Sequence, residues 1–450
     1  MELKDTIVAV ATAPGPAALA VVRISGGKAV AIADKIFQGK TPPSRMSTHT
    51  LQHGRIVSQR GQAIDEVVLG VMLAPHSFTG EDTVEITCHG GNVAAPAVVE
   101  IAVLAGARQA RPGEFTLRAY LNDKMDLSQA EAVCDVIGAS TQAAAKAALE
   151  RLAGGLSKKI RDVRSGLLDV LAQLEAMVDF PEDDLPDPVF KEILGTVSQA
   201  QERIDALLVS SRTAQVLRDG ARVVIAGRPN TGKSSLFNLL LKEERAIVTE
   251  HPGTTRDVLE GFIDVRGIPV RLFDTAGLRE TTDQIEVEGV DRARGKLAQA
   301  DLVLLVIDGS RPPRDEDKAL MDQTKELTRL VVLNKGDLKP AFAAQKGWIK
   351  LSALTGQGLP KLEESIVAAL TGGRGVDAGA ASAANSRQVA ALRDAHMRLD
   401  GAVNGIENKH SYELVAGDVR AAVDSLGQIT GEAIGDEVLE RIFSRFCIGK

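Results

Sequence analysis

The sequence predicts a multidomain chain: an α+β N-terminal domain, then an all-α helical domain that is interrupted by an inserted α/β domain. Three observations predict it. At 450 residues the chain exceeds what one hydrophobic core ordinarily serves. Apolar runs of strand length mix with helical stretches over residues 1–118, and from about Asp126 the pattern turns helical and stays so. That helical pattern is interrupted by alternating strands and helices over residues 218–371 and resumes at Gln388. The ends of α/β domains often lie close together, which makes an insertion geometrically simple. Two separate helical domains flanking the central one are the alternative.

Composition narrows the class. Apolar residues make up 44% and charged residues 25%, the balance of a globular chain. Aromatics are only 3%, with Trp348, Tyr120 and Tyr412 among them, so the cores are expected to be aliphatic. No apolar run reaches the length of a membrane span, and Met-Glu-Leu-Lys-Asp at the start lacks a basic segment followed by an apolar one, so no secretory signal is expected. Cys88, Cys134 and Cys447 make neither a disulfide framework nor a zinc spacing, which fits a cytoplasmic protein. A net charge of −7 argues against a protein that grips nucleic acid over its whole surface.

Taken in order, the N-terminal domain (1–118) offers strands at 7–13, 19–24, 67–73 and 83–88 and helices at 28–37 and 94–105. In the first helical part (119–217), Leu149, Leu152, Leu156, Ile160, Val163, Leu167, Leu171, Leu174 and Val178 recur at spacings of three and four. This predicts one long helix with a single apolar face. Pro181, Pro186 and Pro188 end it, and a second helical run covers 189–217. The inserted domain spans 218–371. A Gly/Ala/Ser-rich connector (372–384) leads to the second helical part (385–450).

The inserted domain carries the chemistry. Gly227-Arg-Pro-Asn-Thr-Gly-Lys-Ser234 follows the apolar run Val223-Val224-Ile225-Ala226 and opens a helix. Such a turn wraps backbone N–H groups around phosphate oxygens at a helix N-terminus. Lys233 reaches the terminal phosphates, and Ser234 offers a hydroxyl to Mg²⁺. Asn334-Lys335-Gly336-Asp337 follows the strand Leu330-Val331-Val332-Leu333 and fits guanine recognition. A carboxylate at Asp337 accepts from guanine N1–H and the 2-amino group, whereas adenine leaves it unpaired. Ser352-Ala353-Leu354, after Trp348-Ile349-Lys350-Leu351, fits a loop that closes on the base. Asp274-Thr275-Ala276-Gly277 matches the element in which Asp274 acts through the Mg²⁺ shell and the Gly277 N–H faces the γ-phosphate. Between them lies Gly253-Thr254-Thr255-Arg256-Asp257, where Thr255 is expected to bind Mg²⁺ only while the γ-phosphate is present. The full nucleotide site is therefore expected to draw on Asn230, Thr231, Gly232, Lys233, Ser234, Ser235, Thr249, Glu250, His251, Pro252, Gly253, Thr254, Thr255, Asp274, Thr275, Ala276, Gly277, Asn334, Lys335, Asp337, Ser352, Ala353 and Leu354. The inserted unit thus reads as an α/β P-loop GTPase domain, with residues 249–256 and 274–292 as its switches.

One position departs from the common pattern. Ras-like GTPases place a water-orienting glutamine directly after Asp-x-x-Gly, and here that residue is Leu278. Another group has to act. Asn230 in the phosphate loop carries an amide oxygen suited to a monovalent cation; K⁺ held there would bring its charge to where an arginine finger otherwise reaches. The acids Glu280, Asp283, Glu286 and Glu288 are candidates to orient water, although each taken singly reads as a solvated charge.

Motifs beyond the GTPase set are more specific. They are Asp5-Thr6-Ile7-Val8-Ala9, Arg23-Ile24-Ser25-Gly26, Ser77-Phe78-Thr79-Gly80-Glu81-Asp82, His89-Gly90-Gly91, Arg111-Pro112-Gly113-Glu114-Phe115, Leu121-Asn122-Asp123-Lys124, Leu278-Arg279-Glu280 and Cys447-Ile448-Gly449-Lys450. With these the chain resembles, over essentially its whole length, the MnmE (TrmE) family of bacterial tRNA-modification GTPases. The resemblance implies an N-terminal domain that dimerises and binds a 5-formyltetrahydrofolate-type donor through Arg23, Glu81, Lys124 and Lys450. It implies GTP hydrolysis driven by K⁺, held by Asn230, Thr249, His251 and Thr254, with Mg²⁺ on Ser234 and Thr255. Glu286 matches the family's water-orienting glutamate, which makes Glu286 and Asn230 the catalytic candidates. It also implies a heterotetramer with the flavoprotein partner MnmG, tRNA as substrate at C5 of the wobble uridine, no membrane, and a link between Cys447 and the modification chemistry. Read as plain residues, Arg23 and Lys124 are surface cations and Cys447 belongs to a frayed tail. The alternative function is a ribosome-assembly or RNA-binding GTPase switch without modification activity; it predicts a basic RNA-binding module, and none is evident.

Overall fold

The computed structural model describes residues 4–179, 187–242, 260–274, 299–373 and 384–450. The chain forms two compact units, one of Met1–Cys134 with Gly427–Lys450, the other of Asp135–Leu426.

The first unit is built on a seven-stranded sheet of β1 (Ile7–Val10), β2 (Leu19–Ser25), β3 (Phe37–Gly39), β4 (Thr50–Val57), β5 (Ala63–Met72), β6 (Thr83–His89) and β7 (Arg108–Gln109), in the order β3-β4-β5-β6-β2-β1-β7. Neighbours run antiparallel except the short parallel pair β1–β7. Alternation sets the faces. On β2, Ala20, Val22 and Ile24 are buried; they pack with Ile32, Ala33 and Ile36 of α1 (Ala29–Ile36) and Ala95, Val98 and Ala102 of α2 (Ala94–Leu104). On the other face, Ile7 and Ala9 of β1 pack on Phe115 of α3 (Glu114–Leu121). Strands β3, β4 and β7 are additions to the sequence reading. The Gly39–Gly54 pair of β3 and β4 makes room for an aromatic ring: a Cβ on either glycine would meet the Phe37 ring at 2.5 Å.

The last residues complete this unit. Leu439 and Phe443 of α13 (Asp436–Phe443), together with Phe446, pack on Leu117 of α3 and on Leu127 and Ala130 of α4 (Leu127–Gly138). Gly449, at φ +96°, lies so close to β1 that a Cβ would meet the Val10 carbonyl oxygen at 2.2 Å.

In the second unit α5 (Gln142–Leu152), α6 (Gly155–Asp179), α7 (Asp187–Asp219), α11 (Ser386–Glu407) and most of α12 (Tyr412–Thr430) are helical. The single long helix expected over 149–178 is two helices. Gly154 takes the left-handed φ of +85° and ends α5, which leaves Leu149 exposed while Leu156, Ile160, Val163, Leu167, Leu171 and Leu174 stay buried on α6. Helix α7 packs along α6 and α11. The Gln201 amide donates to Asp400 at 2.7 Å, and the Ala384 N–H to the Ser211 hydroxyl at 3.2 Å. Helices from before and after the nucleotide segment thus form one helical body, which is therefore an all-α domain interrupted by an insertion.

The insertion is a six-stranded sheet of β8 (Ala221–Ala226), β9 (Glu260–Val265), β10 (Ile268–Asp274), β11 (Leu302–Asp308), β12 (Arg329–Asn334) and β13 (Ile349–Lys350), in the order β13-β12-β11-β8-β10-β9. All neighbours are parallel except β9 against β10. Helices α8 (Lys233–Lys242), α9 (Asp315–Gln323) and α10 (Leu359–Thr371) belong to the same domain. Its aliphatic core includes Val223, Ile225, Leu236, Leu272, Leu304, Val332, Leu362 and Ile366. In keeping with the composition, Phe237 is the single aromatic among the described buried residues of that core. Of the connector, residues 374–383 lie outside the described residues.

Candidate functional site

In a parallel sheet, ligands bind beyond the carboxyl ends of the strands, and four of the predicted motifs sit there. The phosphate loop follows β8, Asp274 ends β10, Asn334 ends β12, and Ser352 and Ala353 follow β13. In the phosphate loop, Asn230 and Gly232 take left-handed φ values of +63° and +93°. Gly227 is pressed so close to β11 that a Cβ would meet the Val306 carbonyl at 2.4 Å. The Arg228 carbonyl accepts from the Thr231 hydroxyl at 2.9 Å and from the Lys233 ammonium at 2.8 Å. Ser234 donates its hydroxyl to Asp274 at 3.0 Å. These are two hard oxygen donors of the kind Mg²⁺ selects, so the residues fit that ion. Ser235 lies in the first turn of α8.

The base-recognition loops are tied to the phosphate loop by one side chain. Asn334, 2% exposed, donates from its amide to the Thr231 carbonyl at 2.9 Å and accepts from the Ala353 N–H at 2.9 Å. Asp337 is exposed and accepts from the Ser352 hydroxyl at 2.5 Å. Leu354 is 84% exposed beside it. The structure therefore gathers Thr231, Gly232, Lys233, Ser234, Asp274, Asn334, Lys335, Asp337, Ser352 and Ala353 along one sheet edge. Thr249, Glu250, His251, Pro252, Gly253, Thr254, Thr255, Thr275, Ala276, Gly277 and Glu286 lie outside the described residues.

Two buried aspartates there were not anticipated. Asp317 of α9 forms an ion pair with the Arg228 guanidinium at 2.7 Å, and Asp308, ending β11, accepts from the Lys335 ammonium at 2.7 Å. Burial pushes the Asp308 carboxyl up, but Lys335 and the Ser310 hydroxyl and N–H outweigh it and hold it below its ordinary range. A carboxylate closing the β11 run Leu302–Asp308, just before a glycine, was the available sequence signal.

The first unit holds a second cluster. The Arg23 guanidinium lies over the rings of Phe78 and Phe115, at 5.3 and 5.7 Å, and pairs with Glu85 at 2.8 Å. The Phe115 N–H donates to the Lys450 carbonyl at 3.2 Å, so the terminal tetrapeptide is tied to the backbone of the same residue. Glu81 accepts from Ser25 at 2.8 Å and from Arg118 at 3.2 Å. Lys124, exposed, donates to the Pro75 carbonyl at 3.0 Å, and its stem lies against Gly80. Cys447 is exposed. Beneath these, Arg118, 1% exposed, also reaches Asp5 at 2.6 Å and Glu114 at 3.1 Å, while Arg108 reaches Asp5 and Glu114 at 2.6 Å each. The Arg108 hydrogen bond holds the Asp5 carboxyl down against burial, with Arg118 adding to it. For Glu114 burial pushes up most, and Arg108, the Arg111 N–H and Arg118 together outweigh it.

A phosphate loop, an Asp at the next strand end and an Asn-Lys-Gly-Asp loop joined by one buried asparagine define a guanine-nucleotide-binding P-loop protein. Comparison with known proteins narrows this class. Residues 6–124 match a family model described as the GTP-binding protein TrmE N-terminus, and residues 127–447 one described as the MnmE helical domain. The tRNA modification GTPase MnmE of Lacticaseibacillus paracasei is 44% identical over 99% of this chain and 98% of its own. Those of Chloroflexus aurantiacus and Symbiobacterium thermophilum are 44% and 45% identical, over 100% and 99% of this chain and all of theirs. Among solved structures, the G domain of the T. maritima FeoB iron transporter is 27% identical over 33% of this chain and 98% of its own, with a TM-score of 0.24. The chain belongs to the MnmE family of tRNA modification GTPases. Among the described residues no helix is long and apolar enough to cross a membrane.

Proposed function

We propose that this protein is a K⁺-dependent GTPase that acts with the flavoprotein MnmG to modify C5 of the wobble uridine of certain tRNAs, using a reduced-folate one-carbon donor. It would act in the cytoplasm as a homodimer within a heterotetramer, divided as 1–118, 119–217, 218–371, 372–384 and 385–450.

The observation that carries this reading is the seating of Gly449 and Lys450 against β1 and Phe115, beside Arg23, in a chain that also holds a guanine-nucleotide edge. An RNA-binding switch has no use for such a seat. Cationic and aromatic groups side by side suit a flat heteroaromatic ligand with an anionic tail. In this reading Arg23, Glu81, Lys124 and Lys450 bind the folate, which supplies the one-carbon unit, and Cys447 serves the modification.

At the nucleotide edge Lys233 binds the terminal phosphates, Asn334 and Lys335 hold the base loop, and Asp337 reads guanine N1–H and the 2-amino group. Ser234 and Thr255 would hold Mg²⁺, which neutralises phosphate charge when bound. Asn230, Thr249, His251 and Thr254 would hold K⁺, which supplies further positive charge. Glu286 orients the attacking water in place of the missing glutamine, since the side chain of Leu278 is aliphatic.

The test has two arms. Nucleoside analysis of tRNA from cells lacking this chain should show the C5-substituted wobble uridine missing; its full retention rules out the modification role. GTP turnover by the intact protein should fall sharply when K⁺ is exchanged for Na⁺, and equal turnover removes the cation from the mechanism.

A further inference from the structure

The turn that ends β11 lies directly under the guanine loop. Parallel pairing sets Asp308 opposite Asn334 at neighbouring strand ends, so Lys335 begins one residue beyond its counterpart. Its ammonium crosses back to Asp308 Oδ2 at 2.7 Å. The other oxygen, Oδ1, accepts from the Ser310 N–H at 2.9 Å and hydroxyl at 2.6 Å, and the carboxylate is only 7% exposed. Next to it the Gly309 N–H donates to the Asn334 carbonyl at 2.9 Å, and the Gly309 carbonyl accepts from the Ala341 N–H at 2.9 Å. The turn thus grips both the backbone of Asn334 and the side chain of Lys335.

Lys335 needs holding. Its φ is +64°, a left-handed conformation that costs a residue with a Cβ about 1–2 kcal/mol. A lysine stem also loses substantial rotamer entropy when it is fixed. Both costs have to be met before a nucleotide arrives if Lys335 is to meet the base in one conformation.

We propose that Asp308 is a positioning residue for nucleotide binding: it anchors the Lys335 ammonium and so sets guanine-nucleotide affinity without touching the nucleotide. This rests on the nucleotide-site reading given above. The competing explanation is that Asp308 only closes its own turn through Ser310. The two differ in whether the effect of Asp308 passes through Lys335, which a double-mutant cycle measures directly.

The experiment uses the full chain, with GDP and IDP affinities measured by calorimetry for the wild type, Asp308→Asn, Lys335→Met and the double variant. Asp308→Asn is expected to weaken GDP about tenfold, the scale of a lost charge-assisted hydrogen bond. On the Lys335→Met background the same substitution should change affinity by less than about twofold. IDP should weaken in step with GDP, because Asp337, which reads the 2-amino group, is unaltered. Asp308→Glu keeps the charge and should recover part of the loss, and Asp308→Ser, which removes the charge, takes the place of Asp308→Asn in the cycle if that variant does not fold. Equal losses on both backgrounds, or a GDP affinity unchanged by the charge-removing variant, overturn the proposal. If the wild type binds no guanine nucleotide, the nucleotide-site reading itself fails; if it binds and the cycle shows no coupling, only the role of Asp308 fails.

Discussion

The nucleotide edge and the N-terminal charge cluster solve the same problem, holding polar groups in fixed positions, by opposite means. At the nucleotide edge each functional group sits on a short contiguous motif at a strand end, and the motifs are cross-tied by single bonds such as Asn334 to Thr231. In the N-terminal unit the groups come from distant places in the chain, namely Asp5, Arg23, Glu81, Arg108, Glu114, Arg118 and Lys450. Asp5, Glu81, Arg108, Glu114 and Arg118 are held by a web of charges around the buried Arg118 and Glu114 instead of by backbone turns, while Arg23 pairs with Glu85 and the Lys450 carbonyl accepts from the Phe115 N–H. Backbone turns tolerate loss of one side chain. A charge web does not at its buried centre, because removing Arg118 or Glu114 takes from the other a charge partner that water cannot replace.

The largest effect is expected at the web. Arg118→Met leaves Asp5 and Glu114 sharing Arg108 and takes from Glu81 its arginine partner, and should cost about 3–5 kcal/mol, seen as loss of hydrogen-exchange protection in β1 and β2 of the intact chain. Unchanged protection would place that web outside the stability of the unit. The corresponding change at the nucleotide edge should be chemical and leave the fold intact. Asp337→Asn replaces an acceptor with a group that can also donate, and should reduce guanine affinity on the order of a hundredfold or more while xanthine nucleotide gains. A melting temperature unchanged in the absence of nucleotide would sharpen the contrast; a large drop would erase it.

A smaller effect is expected where the chain end docks. Gly449→Ala sets a Cβ 2.2 Å from the Val10 carbonyl at φ +96°, and should cost about 1–3 kcal/mol locally. The readout is faster exchange of the Phe115 amide, which donates to Lys450, together with weaker binding of a reduced folate. The smallest is set by pH. Asp5 and Glu114 titrate below their ordinary values of 3.8 and 4.5 in the folded chain, so the unfolded chain takes up their protons first on acidification. Their contribution is therefore complete above about pH 5 and is lost as pH falls through the folded values. Thermal melts from pH 7 to pH 3 should show the N-terminal unit failing before the nucleotide-binding unit.

The same contrast decides what was legible in advance. The phosphate loop, Asp274, Asn334-Lys335-Gly336-Asp337 and Ser352-Ala353 could be read because each is a local pattern between a buried strand and a turn. The α/β character of the inserted domain follows from the alternation of strands and helices, whereas its strand order and the antiparallel β9 do not. Asp308 and Asp317 were missed because a carboxylate acquires meaning only from the cation it meets, 27 residues away for Asp308 and Lys335. The roles of Arg118 and Glu114 are likewise invisible in a linear reading. β4 was missed because its outward side chains, Leu51, His53 and Arg55, alternate with Gln52 and Gly54, so the hydrophobic signal of period two is weak. The long helix over 149–178 was overextended because a periodicity of three and four continues across Gly154, where only the left-handed φ reveals the break.

The N-terminal unit is discontinuous: Phe443, Phe446 and Gly449 pack against residues made near the start of synthesis. On the ribosome, β1 and α3 must wait while residues 135–426 emerge before their last neighbours exist. A truncated or stalled chain therefore presents Leu117, Leu127 and Ala130 incompletely covered, a signal that quality-control factors recognising apolar surface can read.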